Sequence, residues 1–286
     1  MDYNSYQVAE LMGINVSTVK RLTESGKLNC QKTQGGHRKF YLSDLKDFLK
    51  KNKKNAANIN LEYLIGNNQS LINAINQKDN NKLINHCFKS LISNKPDEFT
   101  SFINALSLKG YTIDIIFDEY IIPVLIKIGE KWSKNTLSIT EEHIATERIR
   151  KFASNLSLNT NYKRTKYNAY CFTLADDQHD LPTYMAEAVF NQNKNIKTFN
   201  LGRSIPIDDF IKVSKKTDPK IIFISFVYTD KYKLVEEELN LICKTFNNSD
   251  VKIFLRGSLP QNIKVTYNNL IQIESFKQLS KEILKY

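Results

Sequence analysis

Residues 5–22 read SYQVAELMGINVSTVKRL and predict two short helices joined by a tight turn. Ser5 can cap a first helix that runs to Met12, and Gly13 ends it, because glycine readily takes the left-handed conformation found after helices. A second helix is predicted over Val16–Glu24. Two short helices across such a turn indicate a helix-turn-helix.

A two-stranded hairpin is predicted after the second helix. Leu28–Thr33 and His37–Tyr41 flank the pair Gly35 and Gly36. Glycine tolerates the positive φ angles of tight hairpin turns. A hairpin in this position is a wing, so residues 1–55 are predicted to form a winged helix-turn-helix domain.

The chain is predicted to remain helical as far as residue 160. Ser43 can cap a helix through Leu49, and the polar stretch Lys50–Asn60 breaks the hydrophobic periodicity, which indicates a linker. Over residues 61–160 apolar residues recur at three and four spacing, which predicts a bundle of four or five helices. Pro123 is expected to kink or break its segment, because proline lacks the N–H of a helical hydrogen bond.

Residues 166–286 are predicted to form an α/β domain. Helix-like segments separate five apolar runs, and a final helix is expected from Phe276. The runs are Ala169–Ala175, Ile196–Leu201, Ile221–Val227, Val251–Leu255 and Leu270–Ile273. Strands that alternate with helices are typical of a doubly wound parallel sheet, flavodoxin-like in its simplest form. The predicted fold class is therefore multidomain, α and α/β.

Positive charge is concentrated near the start of the chain. The whole sequence has a formal net charge of +11, and residues 1–55 contain eleven Lys or Arg against five Asp or Glu. An excess of this kind is expected where phosphates are bound, although a solvated lysine-rich surface would look the same.

The cysteines and the apolar runs indicate a cytoplasmic protein. The four cysteines are far apart and form no CxxC pair, which favours structural thiols in a reducing compartment. The longest apolar run, Ile221–Tyr228, is much shorter than the roughly 20 residues of a membrane-spanning helix. The cysteines are Cys30, Cys87, Cys171 and Cys243.

One side of the second helix is suited to DNA. Its polar residues face away from Val16, Val19 and Leu22, so they can reach base edges and phosphates in the major groove. These residues are Ser17, Thr18, Lys20 and Arg21. The wing tip, with His37, Arg38 and Lys39, suits backbone or minor-groove contacts. An excisionase-like or protein-binding winged helix, or a merely solvated basic face, is the alternative.

The first fifty residues resemble the MerR family of transcriptional regulators. The resemblance lies in SYQVAELMGINVSTVKRL, residues 5–22, followed by GGHRKFYLSDL, residues 35–45. It implies a regulator that binds double-stranded operator DNA, as a homo-oligomer such as a dimer or tetramer.

A histidine follows the first predicted strand of the α/β domain. His179 lies in the loop Asp177-Gln178-His179-Asp180-Leu181-Pro182, at the carboxyl edge where sheets of this kind bind ligands. An imidazole there can ligate a metal, with Asp177 orienting it from behind. The alternative is a surface histidine in a loop.

The α/β domain resembles the cobalamin-binding domain, whose DxHxxG loop supplies the lower axial ligand of cobalt. Asp177 and His179 match this motif, whereas Pro182 replaces its glycine. The resemblance implies that His179 is the cobalt ligand and that a cobalamin is the cofactor.

The resemblance extends to the pocket for the nucleotide tail of cobalamin. Ser225 fits the serine that lines this pocket after the third strand. The family's glycine pair after the fourth strand is here Arg256 and Gly257. Arg256 either blocks the tail or binds its phosphate.

The segment PVLIKIGEKWSKNTLSITEEH, residues 123–143, resembles the helical cap of the light-responsive CarH/LitR group. Trp132, Glu142 and His143 reproduce the spacing of that group, which implies that they contact the adenosyl group of adenosylcobalamin. Without the resemblance, Trp132 could fill a core and the other two could begin an exposed helix. Some relatives have a second histidine after the tryptophan, but here the residue is Ser133. No bis-histidine photoproduct is therefore expected, unless His143 supplies the ligand.

Three functions follow from these patterns. The first is a DNA-binding transcriptional repressor whose oligomerisation and operator binding are controlled by adenosylcobalamin and light. The second is a cofactor-independent regulator whose degenerate pocket serves protein contacts or another ligand, such as haem. The third is a corrinoid-dependent enzyme component. The sequence contains no nucleophile triad, P-loop or metal-thiolate cluster, so we expect that the chain is not an enzyme.

Overall fold

The computed structural model describes residues 2–52, 58–158, 165–259, 263 and 265–286. Some residues of the predicted head, linker, bundle and α/β domain, namely 1, 53–57, 159–160, 260–262 and 264, lie outside the described residues. The chain divides into two compact units, Met1–Ala145 (unit 1) and Thr146–Tyr286 (unit 2). The three-domain division with boundaries at 55–61 and 160–166 stays a prediction.

The head, residues 2–52 of unit 1, is a helix-turn-helix with a small antiparallel sheet. Its elements are β1 (Asp2–Tyr3), α1 (Ser5–Met12), α2 (Val16–Glu24), β2 (Gln31–Lys32), β3 (Arg38–Tyr41) and α3 (Leu42–Lys51). The strand order is β1-β3-β2, so β2 and β3 form the predicted wing. The strand β1 was not predicted, since two residues are too short for a recognisable alternation.

The two helix caps that the sequence assigned in the head, Ser5 and Ser43, are wrong by one and two residues, whereas α2 begins at Val16 as predicted. Asn4, rather than Ser5, caps α1, and its side chain accepts hydrogen bonds from the amides of Tyr6 and Gln7. The helix α3 begins after Tyr41 rather than Ser43. The Asp44 carboxylate there accepts a bond from the Tyr41 amide at 2.9 Å.

A helical bundle follows the head. Its α-helices are α4 (Glu62–Ile65), α5 (Gln69–Gln77), α6 (Asn80–Ile92), α7 (Pro96–Leu108), α8 (Ile113–Ile116), α9 (Ile122–Ser133) and α10 (Ile139–Leu158). The sequence predicted the longer helices and missed the one-turn helices α4 and α8. None of the described helices is long and apolar enough to span a membrane.

The irregularity expected at Pro123 is a π-helical turn over Phe117–Ile121 that connects α8 to α9. Pro123 lies in the first turn of α9. Because proline has no N–H to donate to the preceding turn, a wider turn at this place leaves the helical path continuous.

Unit 2 contains a five-stranded parallel sheet flanked by helices. The strands are β4 (Tyr167–Thr173), β5 (Ile196–Gly202), β6 (Pro219–Ser225), β7 (Lys252–Arg256) and β8 (Leu270–Ile273). The helices are α11 (Leu181–Phe190), α12 (Ile207–Thr217), α13 (Tyr232–Phe246) and α14 (Phe276–Glu282). The order β5-β4-β6-β7-β8 confirms the predicted flavodoxin-like topology. A helix was also expected between β7 and β8, but the described residues there form none.

The sheet topology determines where a ligand can bind. The strand order reverses between β4 and β6, and in open α/β sheets the crevice for ligands lies at the carboxyl ends of the strands at this point. One face of the sheet packs a core against α12 and α13, which includes Phe172, Ile224, Leu255, Phe210 and Leu239.

All four cysteines are free thiols. Cys30, between α2 and β2, is partly exposed, whereas Cys87, Cys171 and Cys243 are buried. Burial raises the pKa of each buried thiol, to about 11 for Cys243.

Candidate functional site

Asp177 anchors the loop that follows β4. This loop, residues 174–180, is the His loop. Its side chain is fully buried, and Oδ2 accepts a hydrogen bond from the Val227 amide at 2.6 Å. Oδ1 accepts a bond from the His179 amide at 3.0 Å and lies 2.8 Å from His179 Nδ1. A carboxylate only accepts hydrogen bonds, so Nδ1 is the protonated ring nitrogen.

His179 is therefore oriented as a metal-binding histidine is. A carboxylate behind one ring nitrogen fixes the tautomer and directs the other nitrogen, Nε2, outward. The His179 side chain is 55% exposed although its carboxylate partner is buried, so the imidazole can meet a ligand at the carboxyl edge.

Residues of neighbouring segments hold the His loop in place through hydrogen bonds and an ion pair. The Ala175 amide donates to Glu238 Oε2 at 2.8 Å, and burial raises the pKa of the Glu238 carboxyl. The Asp176 amide donates to Ser204 Oγ at 3.0 Å, and the Asp176 carboxylate pairs with Lys231. These contacts connect the loop to the segments after β5 and β6.

Arg150, which the sequence did not single out, also holds the His loop. Its guanidinium pairs with Asp180, whose side chain is only 10% exposed, and with Glu147 at 2.9 Å. It lies 5.1 Å from the centre of the Tyr184 ring, in a cation-π contact. No local pattern relates Arg150 to Asp180, because the two are 30 residues apart.

Pro182, which replaces the motif's glycine, fits the local structure. It is buried in the first turn of α11, where a missing N–H costs nothing. Thr183 Oγ donates to the Asp180 carbonyl at 2.7 Å in the same turn. The substitution therefore leaves the loop that holds His179 intact.

The ends of β6 and β7 carry the residues predicted for the nucleotide tail. Ser225 is 1% exposed, and its hydroxyl has no hydrogen-bond partner among the described residues. Gly257 has a φ of +123°, and a Cβ there would lie 1.7 Å from the Phe226 carbonyl oxygen, so only glycine fits. The Arg256 guanidinium lies 4.6 Å from the centre of the Phe276 ring.

These features fit a corrinoid. The Asp177–His179 pair has the donor arrangement of an axial cobalt ligand, and the Ser225 hydroxyl is a buried polar group that a ligand could satisfy. Among the described residues no group of His, Cys, Asp and Glu is arranged to hold a metal ion by itself.

The predicted cap residues lie in unit 1. Trp132, near the end of α9, is 51% exposed, so the alternative that it fills a core is wrong. Glu142 and His143 lie near the start of α10, where His143 Nδ1 is 2.5 Å from Glu142 Oε2. The His143 side chain is 72% exposed.

The predicted DNA-contacting residues divide into two groups. On α2, Ser17, Lys20 and Arg21 are exposed, Thr18 is partly exposed and the intervening Val19 is buried. On the wing, His37 is exposed and Lys39 pairs with Asp2 at 2.7 Å. Arg38 is only 18% exposed and pairs with Glu24 of α2 at 3.2 Å. The structure thus presents the α2 residues outward and turns Arg38 toward the protein.

Comparison with known families assigns two segments. Residues 3–53 match the helix-turn-helix domain, and residues 83–156 match the B12 binding domain. The chain thus combines a DNA-binding type of domain with a domain of cobalamin proteins. The predicted cofactor class, a cobalamin, is confirmed at this level.

One curated relative is a transcriptional repressor of the helix-turn-helix type. The chain is 23% identical over 124 residues to the HTH-type transcriptional repressor CarH of Myxococcus xanthus. The match covers 43% of this chain and 40% of the relative, so the chain aligns with less than half of that protein. With the two domain matches, it confirms the predicted resemblance to the CarH group.

The fold is similar to that of a solved corrinoid protein. The monomethylamine corrinoid protein of Methanosarcina barkeri superposes with a TM-score of 0.55 at 14% identity. The superposition covers 73% of this chain and 99% of that chain. At this identity the likeness shows the fold alone.

Proposed function

We propose that this chain is a MerR-type transcriptional repressor whose oligomerisation and operator binding are controlled by adenosylcobalamin and light. The observation that carries the proposal is the oriented His179 on the buried Asp177, in a chain whose residues 3–53 match the helix-turn-helix domain. A metal-binding imidazole in a DNA-binding protein is what a cofactor-controlled regulator requires.

The residues of the α/β sheet would hold the cofactor from below. His179 Nε2 would ligate the cobalt, while Asp177 keeps Nδ1 protonated and the ring in place. Ser225 and Gly257 would line the pocket of the nucleotide tail.

Trp132, Glu142 and His143 would contact the adenosyl group. Trp132 offers an exposed aromatic face, and the Glu142–His143 pair offers polar atoms for the sugar and base. Bound adenosylcobalamin would supply a cobalt–carbon bond that light breaks. Loss of a group that these residues contact biases a two-state assembly, since a ligand shifts an equilibrium by its differential affinity.

The head would supply the output. Ser17, Thr18, Lys20 and Arg21 would enter the major groove, and His37 and Lys39 would contact the backbone or minor groove. A dimer or tetramer would place several heads on repeated half-sites.

Absorption spectroscopy and gel filtration of the purified full chain test the proposal. After incubation with adenosylcobalamin in the dark, the desalted protein should retain a cobalamin spectrum that changes on illumination, with a shift to a smaller assembly. Binding to genomic DNA fragments selected in the dark should weaken after illumination. His179→Ala should lose the His-ligated spectrum, with Gln178→Ala, a neighbouring substitution in the same loop, as the matched control.

The outcomes separate the proposal from its alternatives. An unchanged elution volume after illumination would overturn light control. Failure to bind any cobalamin, with DNA binding intact, would select the cofactor-independent regulator with a degenerate pocket.

The fold of the monomethylamine corrinoid protein favours one second candidate, a corrinoid-carrying enzyme component. The full chain, loaded with cobalamin, would then accept and donate a methyl group when supplied with partner methyltransferases. Transfer without any selected DNA would support this candidate over the regulator.

A further inference from the structure

The amino ends of four strands in unit 2 are rich in lysine. In a parallel sheet with helical crossovers, the starts of the strands and the ends of the preceding helices meet at one edge, opposite the edge that holds the His loop. Four segments form this edge around β4 to β7, and they contain eight lysines against two aspartates. The segments, together called the lysine edge, are 165–167, 193–197, 215–220 and 244–252.

Most of the positive charge of the lysine edge is not compensated. Lys220 pairs with Asp218 at 3.4 Å, which leaves Asp250 as the remaining carboxylate of these segments. Six other lysines are exposed and form no ion pair among the described residues. They are Lys166, Lys194, Lys215, Lys216, Lys244 and Lys252.

Hydrogen bonds hold the segments of the lysine edge together. The Lys166 amide donates to the Asn195 carbonyl at 2.7 Å, and the Asn168 side chain donates to the Thr217 carbonyl at 2.6 Å. Lys252 begins β7, which pairs with β6. Neighbouring strands lie about 4.8 Å apart, so the lysines from β5 to β7 are spread over about 14 Å of a fixed edge.

The dipoles of the helices account for only part of this charge. A lysine in the last turn of a helix interacts favourably with the negative end of the helix dipole. Lys215 and Lys216 lie in the last turn of α12, and Lys244 lies in that of α13. Lys166 and Lys252 lie at the starts of strands, where a sheet has only a small net dipole. Their charge is therefore available to an external partner.

A second copy of the chain offers few free carboxylates at its opposite edge. Asp177 is fully buried there, and Asp180 and Asp176 already pair with Arg150 and Lys231. Double-stranded DNA, in contrast, carries one negative charge per about 1.7 Å of its axis. DNA is thus the partner whose charge density matches the lysine edge.

We propose that the lysine edge is a second DNA-binding surface, which contacts backbone phosphates and does not read bases. Lysines on flexible side chains neutralise phosphates wherever these lie, so their contacts add affinity without adding sequence preference. Such contacts require neither cobalamin nor light. The proposal therefore goes beyond the cofactor-controlled function and does not depend on it.

Binding of the full chain to a random-sequence duplex of 40 base pairs tests this surface. Fluorescence anisotropy is measured without cobalamin at a series of KCl concentrations. The edge variant combines Lys166→Gln, Lys215→Gln and Lys252→Gln. The control variant has the same net charge and combines Lys212→Gln, Lys233→Gln and Lys277→Gln, at exposed positions in the first halves of α12, α13 and α14. Circular dichroism and light scattering check the fold and the mass of each protein.

The edge variant should lose about 2 to 3 from the slope of log affinity against log salt, since each phosphate contact contributes about 0.9. Its affinity at 0.15 M KCl should fall by about ten- to a hundred-fold. The control variant should keep the slope and the affinity of the wild type. Equal slopes in the edge and control variants would overturn the proposal. A smaller assembly mass in the edge variant would also overturn it, because the edge would then bind a second copy.

Failure of this proposal and failure of the proposed function are distinguishable. If the chain retains no cobalamin but the edge variant loses slope, the cofactor-controlled function falls and the DNA surface stands. If cobalamin and light control assembly but the edge and control variants bind DNA alike, the function stands and the DNA surface falls.

Discussion

At the scale of single residues, Arg150 pairs with two carboxylates that differ in burial. Asp180 is 10% exposed beside the cobalt-ligand candidate, whereas Glu147 is 56% exposed. A buried carboxylate depends on its counter-charge far more than an exposed one does. The two ion pairs of the Arg150 guanidinium should therefore contribute very unequally to the free energy of unfolding.

Arg150→Met should lower the free energy of unfolding by about 3 kcal/mol, because it leaves Asp180 buried without its charge partner. Hydrogen exchange of the His loop should rise in the cofactor-free protein. Glu147→Gln, which removes only the exposed partner, should cost less than about 0.5 kcal/mol. Urea unfolding measures both, and equal effects of the two variants would contradict this account.

Lys20 and Arg38 should differ in how they affect DNA binding. Lys20→Ala removes an exposed charge on α2, so the slope of log affinity against log salt should fall by about 1. Arg38 pairs with Glu24, so Arg38→Met should weaken binding through the wing's position and leave the slope unchanged. Fluorescence anisotropy at a series of KCl concentrations measures the two slopes. An equal fall in slope for both variants would show that Arg38 contacts phosphate.

At the scale of elements, the turn after β7 shows what a glycine can enforce. Gly257 and Gly202 both have positive φ, at +123° and +78°. A Cβ on Gly257 would collide with the Phe226 carbonyl, whereas a Cβ on Gly202 would meet nothing within 4 Å. A comparison of substitutions at these two glycines therefore separates the cost of backbone strain from the cost of steric collision.

Gly202→Ala should lower the free energy of unfolding by about 1 kcal/mol, from strain at positive φ alone. Gly257→Ala should cost more than about 3 kcal/mol, since β6 and β7 must also separate. Thermal denaturation followed by circular dichroism measures the difference. Similar costs at the two positions would mean that the close approach to Phe226 does not exist in solution.

The elements also show which features a sequence can reveal. The bounds of α1 and α2 and the order of the sheet follow from local periodicity, glycines and strand-helix alternation. The Asp177–His179 pair is predictable because its members are two residues apart. Arg150–Asp180 and the neighbouring position of Ser225 and Arg256 depend on tertiary structure, which local patterns do not encode.

At the scale of the whole molecule, the head and the bundle helices α4 to α9 belong to one compact unit. The predicted linker is not free where it is described, because the Asn60 amide donates to the Leu11 carbonyl at 2.8 Å. Ile59 and Leu61 on either side are 6% and 3% exposed. The head thus packs against the start of the bundle. We expect a rearrangement of the bundle to change the position or the stability of α1.

Ile59→Asp should detach the head from the bundle, since a carboxylate replaces a buried apolar side chain at a cost of at least about 2 kcal/mol. Hydrogen exchange of α1 should rise while that of α6 stays unchanged. Asn58→Asp introduces the same charge at an exposed position and should have no effect. Unchanged protection of α1 in Ile59→Asp would show that the contact at Ile59 does not couple the head to the bundle.

The distribution of thiols gives this protein a reporter that needs no engineering. Three cysteines are buried with raised pKa values, whereas Cys30 is partly exposed, between α2 and the wing. A maleimide dye should therefore attach once per native chain, between the helix and the wing that are proposed to contact DNA. Energy transfer between dyes on neighbouring copies would then follow assembly and release in real time, with the natural sequence intact.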